Sequence, residues 1–139
     1  MRIFYIDYEN VHYDGLDGVE NISCKDKIII FGGTNDGIRF LDINCLLKTK
    51  AKLEFVTVST GKKDALDFQL VSHLMLNIDK RYEYFIIARD TGYNYAIEMA
   101  NRFGYSNIKR FDSIKASLSL PESSVVECNV ITAVPLTKW

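Results

Sequence analysis

The sequence predicts an α/β domain in which a central, mainly parallel five-stranded sheet lies between two layers of helices. Three observations carry this prediction. Short runs of β-branched and aromatic residues alternate with segments of helical spacing. A length of 139 residues with 47% apolar and 12% aromatic side chains is enough for one filled core. No internal repeat or Gly/Pro/Ser-rich linker divides the chain.

The first run, Arg2 to Val11 (RIFYIDYENV), organises the rest. Its apolar part needs burial on both faces, as in the middle of a parallel sheet. It ends abruptly in Asp7, Glu9 and Asn10, so a carboxylate is delivered to the rim, where desolvation penalises an unpaired charge. Tyr13 to Ile22 reads as a loop with a short helix, because Leu16, Val19 and Ile22 have helical spacing but Gly15 and Gly18 weaken it. Lys27 to Phe31 (KIIIF) is a second strand, halted by Gly32-Gly33. Asp36 to Leu47 fits a helix through Ile38, Leu41, Ile43, Cys45, Leu46 and Leu47, with Lys48, Lys50 and Lys52 at its negative pole.

Leu53 to Val58 is the third strand, and Ser59 to Lys63 (STGKK) a turn. Asp64 to Ile78 follows as the clearest helix, with one stripe of Leu66, Leu70, Val71, Leu74, Met75 and Ile78. Tyr82 to Ala88 is the fourth strand and again runs into an acid, Asp90. The segment from Gly92 to Phe103 is helical and is ended by Gly104, a C-terminal cap. Ile108 to Phe111 is a short fifth strand. Residues 1–112 then form the main domain. Residues 113–139 are expected to be a β-prone extension packed on it, because Ile114, Ala116, Leu118 and Leu120 alternate with polar residues and Val125 to Val134 is again β-prone. A C-terminal β-hairpin or edge strand is the expected form.

Several function classes drop out. No apolar run is long enough to span a membrane, and the N-terminus lacks the pattern of a secretory signal. Cys24, Cys45 and Cys128 are odd in number and lack ligand spacing, as expected of reduced thiols in a cytoplasmic protein. With a net charge of −1, any polyanion must be met by a local basic patch. No nucleophilic triad is evident, Gly32-Gly33 lacks the residues of a phosphate loop, and His12 and His73 stand alone.

The acids converge if strands one, two and three step to one side of the sheet and four and five to the other. Strands one and four are then central neighbours, and Asp7 and Asp90 share the crevice at the carboxyl ends where strand order reverses. Asp67, in the first turn of the third-strand helix, lies on or near its apolar stripe and points toward protein. Carboxylates gathered without a counter-charge repel, and one takes up a proton unless a cation intervenes. Mg²⁺ or Mn²⁺ prefers such oxygen ligands and can activate water against a phosphodiester.

Three blocks, IDYEN (6–10), KKDALDFQL (62–70) and ARDTGY (88–93), resemble in order and spacing the acidic blocks of PIN-like nucleases, close to the NYN branch. The resemblance covers residues 1–112. It implies a three-layer α/β fold, RNA as substrate, Mg²⁺ or Mn²⁺ as cofactor, Asp7, Asp67 and Asp90 as metal-binding acids, and Asn10 as the residue that orients the first block. The chain departs from the pattern at Arg89, where a small polar residue is common, and at Asn94, where a further acid often follows; Glu9 or Asp64 could compensate.

Plainer roles stand beside these. Asp7 and Asp90 could cap the helices that follow them, and Asp64 with Asp67 has the spacing of a capping box. Lys62, Lys63, Arg89 and Arg102 are candidates for gripping substrate phosphate, or are solvated surface residues, and Tyr93 and Asn94 are further candidates for binding substrate. Tyr8, Tyr93 and Tyr95 are candidates for stacking on bases, or are core. The expectation is a cytoplasmic, metal-dependent ribonuclease acting endonucleolytically, with a protein regulator or a second copy of the chain as further partner and no membrane association. The main alternative is a degenerate domain of the same fold that binds RNA or protein. A phosphoacceptor domain would need an Asp after the third strand, where Val58-Ser59-Thr60 stands.

Overall fold

The computed structural model describes residues 1–33, 37–58 and 65–119. In order it contains β1 (Arg2–Asp7), α1 (Tyr8–Gly15), a 3-10 turn (Val19–Asn21), β2 (Lys27–Gly33), α2 (Phe40–Leu46), β3 (Lys52–Val58), α3 (Ala65–Asn77), β4 (Glu83–Ile87), α4 (Tyr93–Arg102), β5 (Ile108–Phe111) and α5 (Ile114–Leu118). The five strands form one all-parallel sheet in the order β3-β2-β1-β4-β5. β1 and β4 are thus central neighbours, with Ile6 beside Ile87. On the other side Asp7 pairs with Phe31 of β2. The register ends these strands together, which puts Asp7 and the chain leaving β4 on one edge.

Alternation along the strands splits the core into two layers. Phe4, Ile6, Ile28, Ile30, Phe85 and Ile87 face one way and meet Val11 of α1, Leu46 of α2 and Ile114 of α5. Tyr5, Ile29, Phe31, Tyr84 and Ile86 face the other way and meet Leu66, Leu70 and Leu74 of α3 with Tyr93 and Ala100 of α4. Because both faces are covered, the central strands read as unbroken apolar runs rather than alternating ones. The predicted α3 stripe is the buried one: Leu66, Leu70 and Leu74 are buried, with Val71, Met75 and Ile78 packed against them. At the opposite edge Asp26 anchors β1, accepting from the Arg2 backbone N–H at 2.9 Å and from its guanidinium Nε and Nη2 at 3.1 and 2.8 Å. At the end of α4, Gly104 takes φ +91°, Gly104 N donates to Asn101 O, and Tyr105 N donates to Ala100 O, the paired bonds of a Schellman cap.

Four expectations need correction. The first run turns helical at Tyr8, not after Val11, because Asp7 caps a helix by accepting from Asn10 N at 3.2 Å. That helix is kinked at His12 (φ 48°, ψ −138°), which is why the segment resembles a loop in sequence. Gly32 and Gly33 belong to β2 and pair with Thr57 and Val58, so they do not halt the strand. In α2 the buried face is carried by Asp42 and Leu46, while Leu41, Ile43 and Leu47 of the expected stripe are exposed. Ile114–Leu118 is a helix, not an alternating strand; Ser113 caps it by accepting from Ala116 N at 3.0 Å, and Ile114 and Ser117 share its buried side. The expected β-prone run Val125 to Val134 and the Ser59 to Lys63 turn lie outside the described residues.

Candidate active site

Two acids from distant parts of the chain meet at one hydroxyl. Asp7 stands at the end of the central strand and is only 2% exposed. Asp67 comes from the first turn of α3. Tyr93, the first residue of α4 and 3% exposed, places its phenol oxygen 2.8 Å from Asp7 Oδ2 and 3.1 Å from Asp67 Oδ1. A phenol has one proton to donate and here has two carboxylates to receive it.

The electrostatics follow from that shortage. Burial pushes the Asp7 carboxyl up to about 6, and the neighbouring Asp67 charge adds to the rise, while donation from Tyr93 and from Asn10 N opposes it. Burial, then the Asp7 charge, pushes the Tyr93 phenol well above its ordinary range, so it remains a donor at all physiological pH values.

The loop after β4 is tied to the same corner through Asn10. Its Oδ1 accepts from Arg89 N at 2.5 Å, joining the first turn of α1 to the residue before Asp90. Asp90 itself is exposed, and its Oδ1 accepts from Gly92 N at 2.8 Å. That is an Asx turn rather than the helix cap, since Gly92 occupies the N-cap position of α4. Asp90 therefore shares the edge with Asp7 and Asp67 but is engaged by its own turn; among the described residues no group of three or more His, Cys, Asp or Glu side chains is placed to hold a metal ion.

Other candidates sort by position. Tyr93 is too buried to stack on a base; its ring fills the α4 layer and its hydroxyl serves the acids. Tyr8 is likewise buried, its hydroxyl bonded to Asp42, whereas Tyr95 is exposed. Arg89 is exposed and lies 3.5 Å from the equally exposed Asp14. Arg102, at the far end of α4, faces Glu98 instead of this edge. Glu9 is exposed in the first turn of α1. Asn94 Oδ1 accepts from Arg110 Nε at 3.0 Å. His73 is half-buried, its Nδ1 2.9 Å from Tyr5 Oη and its Nε2 3.9 Å from Glu54. Lys62, Lys63 and Asp64 lie outside the described residues. Sequence reasoning missed the hydroxyl bridge of Tyr93 and the involvement of Arg110; no spacing signal could have found either, because both arise from packing across elements.

The acid pair fits a hard divalent cation in kind: oxygen donors, one buried and reluctant to ionise, and a single proton shared between two acceptors. A parallel sheet in this order, with paired acids at the carboxyl edge of its central strand, is an α/β domain with an acidic crevice at the point where strand order reverses. A PIN domain family model matches residues 1–110, and the chain belongs to that family. Comparison with curated proteins and with solved structures gives no match. The described part of the chain contains no helix long and apolar enough to cross a membrane.

Proposed function

We propose that this PIN domain is a metal-dependent ribonuclease close to the NYN branch, cutting RNA internally by hydrolysis. The observation that carries the reading is the meeting of Asp7 and Asp67 at the single Tyr93 hydroxyl, at the sheet edge where ligands of such folds sit. Asp7, Asp67 and Asp90 are the residues that would hold Mg²⁺ or Mn²⁺, and Asn10 fixes the loop bearing Asp90 through its bond to Arg89 N. When bound, such an ion makes a water more acidic and stabilises the charge that develops on a phosphodiester. The chain's own contribution is to keep two carboxylates adjacent, to exclude water from Asp7, and to hold the Tyr93 proton between them. Lys62 and Lys63, which precede α3 in the sequence, are proposed phosphate contacts. The proposed setting is cytoplasmic, with a protein regulator or a second copy of the chain as a further partner.

A second reading has its own support: Asp90 is occupied by its own turn, and Asn94 is occupied by Arg110. On that reading the domain binds RNA or protein without cutting. Incubation of structured and unstructured RNA with the protein in Mn²⁺ separates the two. Cleavage by the wild type, lost in Asp90→Asn and Asp7→Asn with circular dichroism unchanged, is the expected result. Equal cleavage by wild type and variants, or none by any, rejects the enzyme.

A further inference from the structure

The end of β5 carries a cation that the acid pair does not use. Arg110 is fixed by three hydrogen bonds: Nε donates to Asn94 Oδ1 at 3.0 Å, and Nη1 donates to Ala88 O at 2.9 Å and to Asp112 Oδ1 at 3.2 Å. Its side chain is 18% exposed. Ala88 immediately precedes the Arg89-Asp90 turn, and Asn94 follows Tyr93 in the first turn of α4. Adjacent residues of one helical turn therefore serve two groups: Tyr93 holds the acids and Asn94 holds the guanidinium.

The charge of that guanidinium is largely unspent. Two of its three partners, an amide oxygen and a backbone carbonyl, are neutral. The third, Asp112, is exposed, and solvent screens such a pair strongly. Among the described residues Nη2 has no hydrogen bond. Arg89 differs on each point: it is paired with Asp14, both side chains are exposed, and among the described residues no further hydrogen bond holds its fork. A guanidinium held in place and partly exposed, with its Nη2 still to donate, suits the oxygens of a phosphate better than a mobile ammonium does.

We propose that Arg110 is a substrate-binding residue that grips a backbone phosphate of an RNA strand on the α4 side of the acid pair, with Asn94 setting the angle of its fork. The identity of the strand rests on the ribonuclease reading; the geometry of the guanidinium does not. An amide at position 94 is what such a role requires. It accepts from Nε without cancelling the positive charge, as a carboxylate there would.

The test is binding of a fluorescein-labelled, unstructured oligoribonucleotide in EDTA, followed by anisotropy over a salt series. Arg110→Gln should weaken binding about tenfold and lower the slope of log affinity against log salt by about 1. Arg110→Lys should restore the slope but not the full affinity, because a point charge replaces the fork. Asn94→Asp leaves Arg110 and its acceptor in place and should weaken binding nearly as much, which keeps the test decisive if Arg110→Gln unfolds. Unchanged affinity and slope in the folded variants would mean that Arg110 merely satisfies the Ala88 carbonyl, and so would the absence of RNA binding by the wild type. Cleavage in Mn²⁺ is scored separately: a protein that binds through Arg110 without cutting sinks the ribonuclease and leaves this inference standing, and a cutter indifferent to Arg110 does the reverse.

Discussion

Asp7 is a charge kept where a charge is costly, and its behaviour should reveal that cost. Its folded carboxyl sits near 6, against 3.8 for the unfolded group, so the metal-free native state binds more protons than the unfolded state between those values. The group's contribution is therefore fully present below about pH 4 and is lost as pH rises through 6. Asp7→Asn, which keeps the cap and the Tyr93 bond, should raise the melting temperature of the metal-free protein at pH 7 and change it little at pH 4; equal shifts at both values contradict the account. Tyr93→Phe removes the shared donor and leaves the ring packed. Urea denaturation should show a loss of about 1.5–3 kcal/mol, the range for a hydrogen bond to charged groups. Carboxyl ¹³C NMR should place Asp7 higher still. Of these residue-level features the sequence disclosed the acids, because an apolar run ending in Asp is visible by eye. It disclosed nothing of the Tyr93 bridge, since a tyrosine beside a site reads equally as a base-stacking platform.

Among the elements, α3 and α5 mark the limits of periodicity. In α3 the stripe Leu66, Leu70 and Leu74 is continuous, and its burial follows directly from spacing. Leu70→Ala should cost about 2–5 kcal/mol in urea denaturation, while Leu76→Glu, on the outer side at 85% exposure, should stay within about 0.5 kcal/mol. In α5 the apolar residues at 114, 116 and 118 alternate as a strand would, yet the buried pair is Ile114 and Ser117, and the cap from Ser113 decides the outcome. Five residues are too few for the eye to separate periods of 2 and 3.6. A similar misreading hid α1, whose Tyr8 and Val11 continue the apolar look of β1 while the backbone has already turned on the Asp7 cap. In α2 the fully buried Asp42, held by Tyr8 and by Arg39 at 3.4 Å, took the place that hydrophobicity assigned to Leu41 and Ile43.

At the scale of the molecule, alternating strands and helices made the parallel sheet legible, while the strand order entered only as the arrangement under which the acids converge. The order β3-β2-β1-β4-β5 puts Asp7 on the central strand and brings the β4 exit beside it. What sequence could not supply was the orientation of side chains within that crevice, which is why Asp90 shares the edge without joining the pair. If the pair is a cation site, Mn²⁺ should raise the melting temperature of the wild type, by about 2.7 kcal/mol of stability at a hundredfold excess over its Kd, and should leave Asp7→Asn unmoved. An equal gain in both proteins would point to binding elsewhere.

The central place of β1 also sets the moment at which the acid pair can form. Its first strand must wait for partners ending at Gly33 and Ile87, and the tyrosine that joins the acids comes only at position 93. For most of its synthesis a chain leaving the ribosome has only one of the two strands that flank β1 and lacks the hydroxyl that joins the acids. The acid pair and its shared hydroxyl are thereby assembled only after most of the described domain has been made.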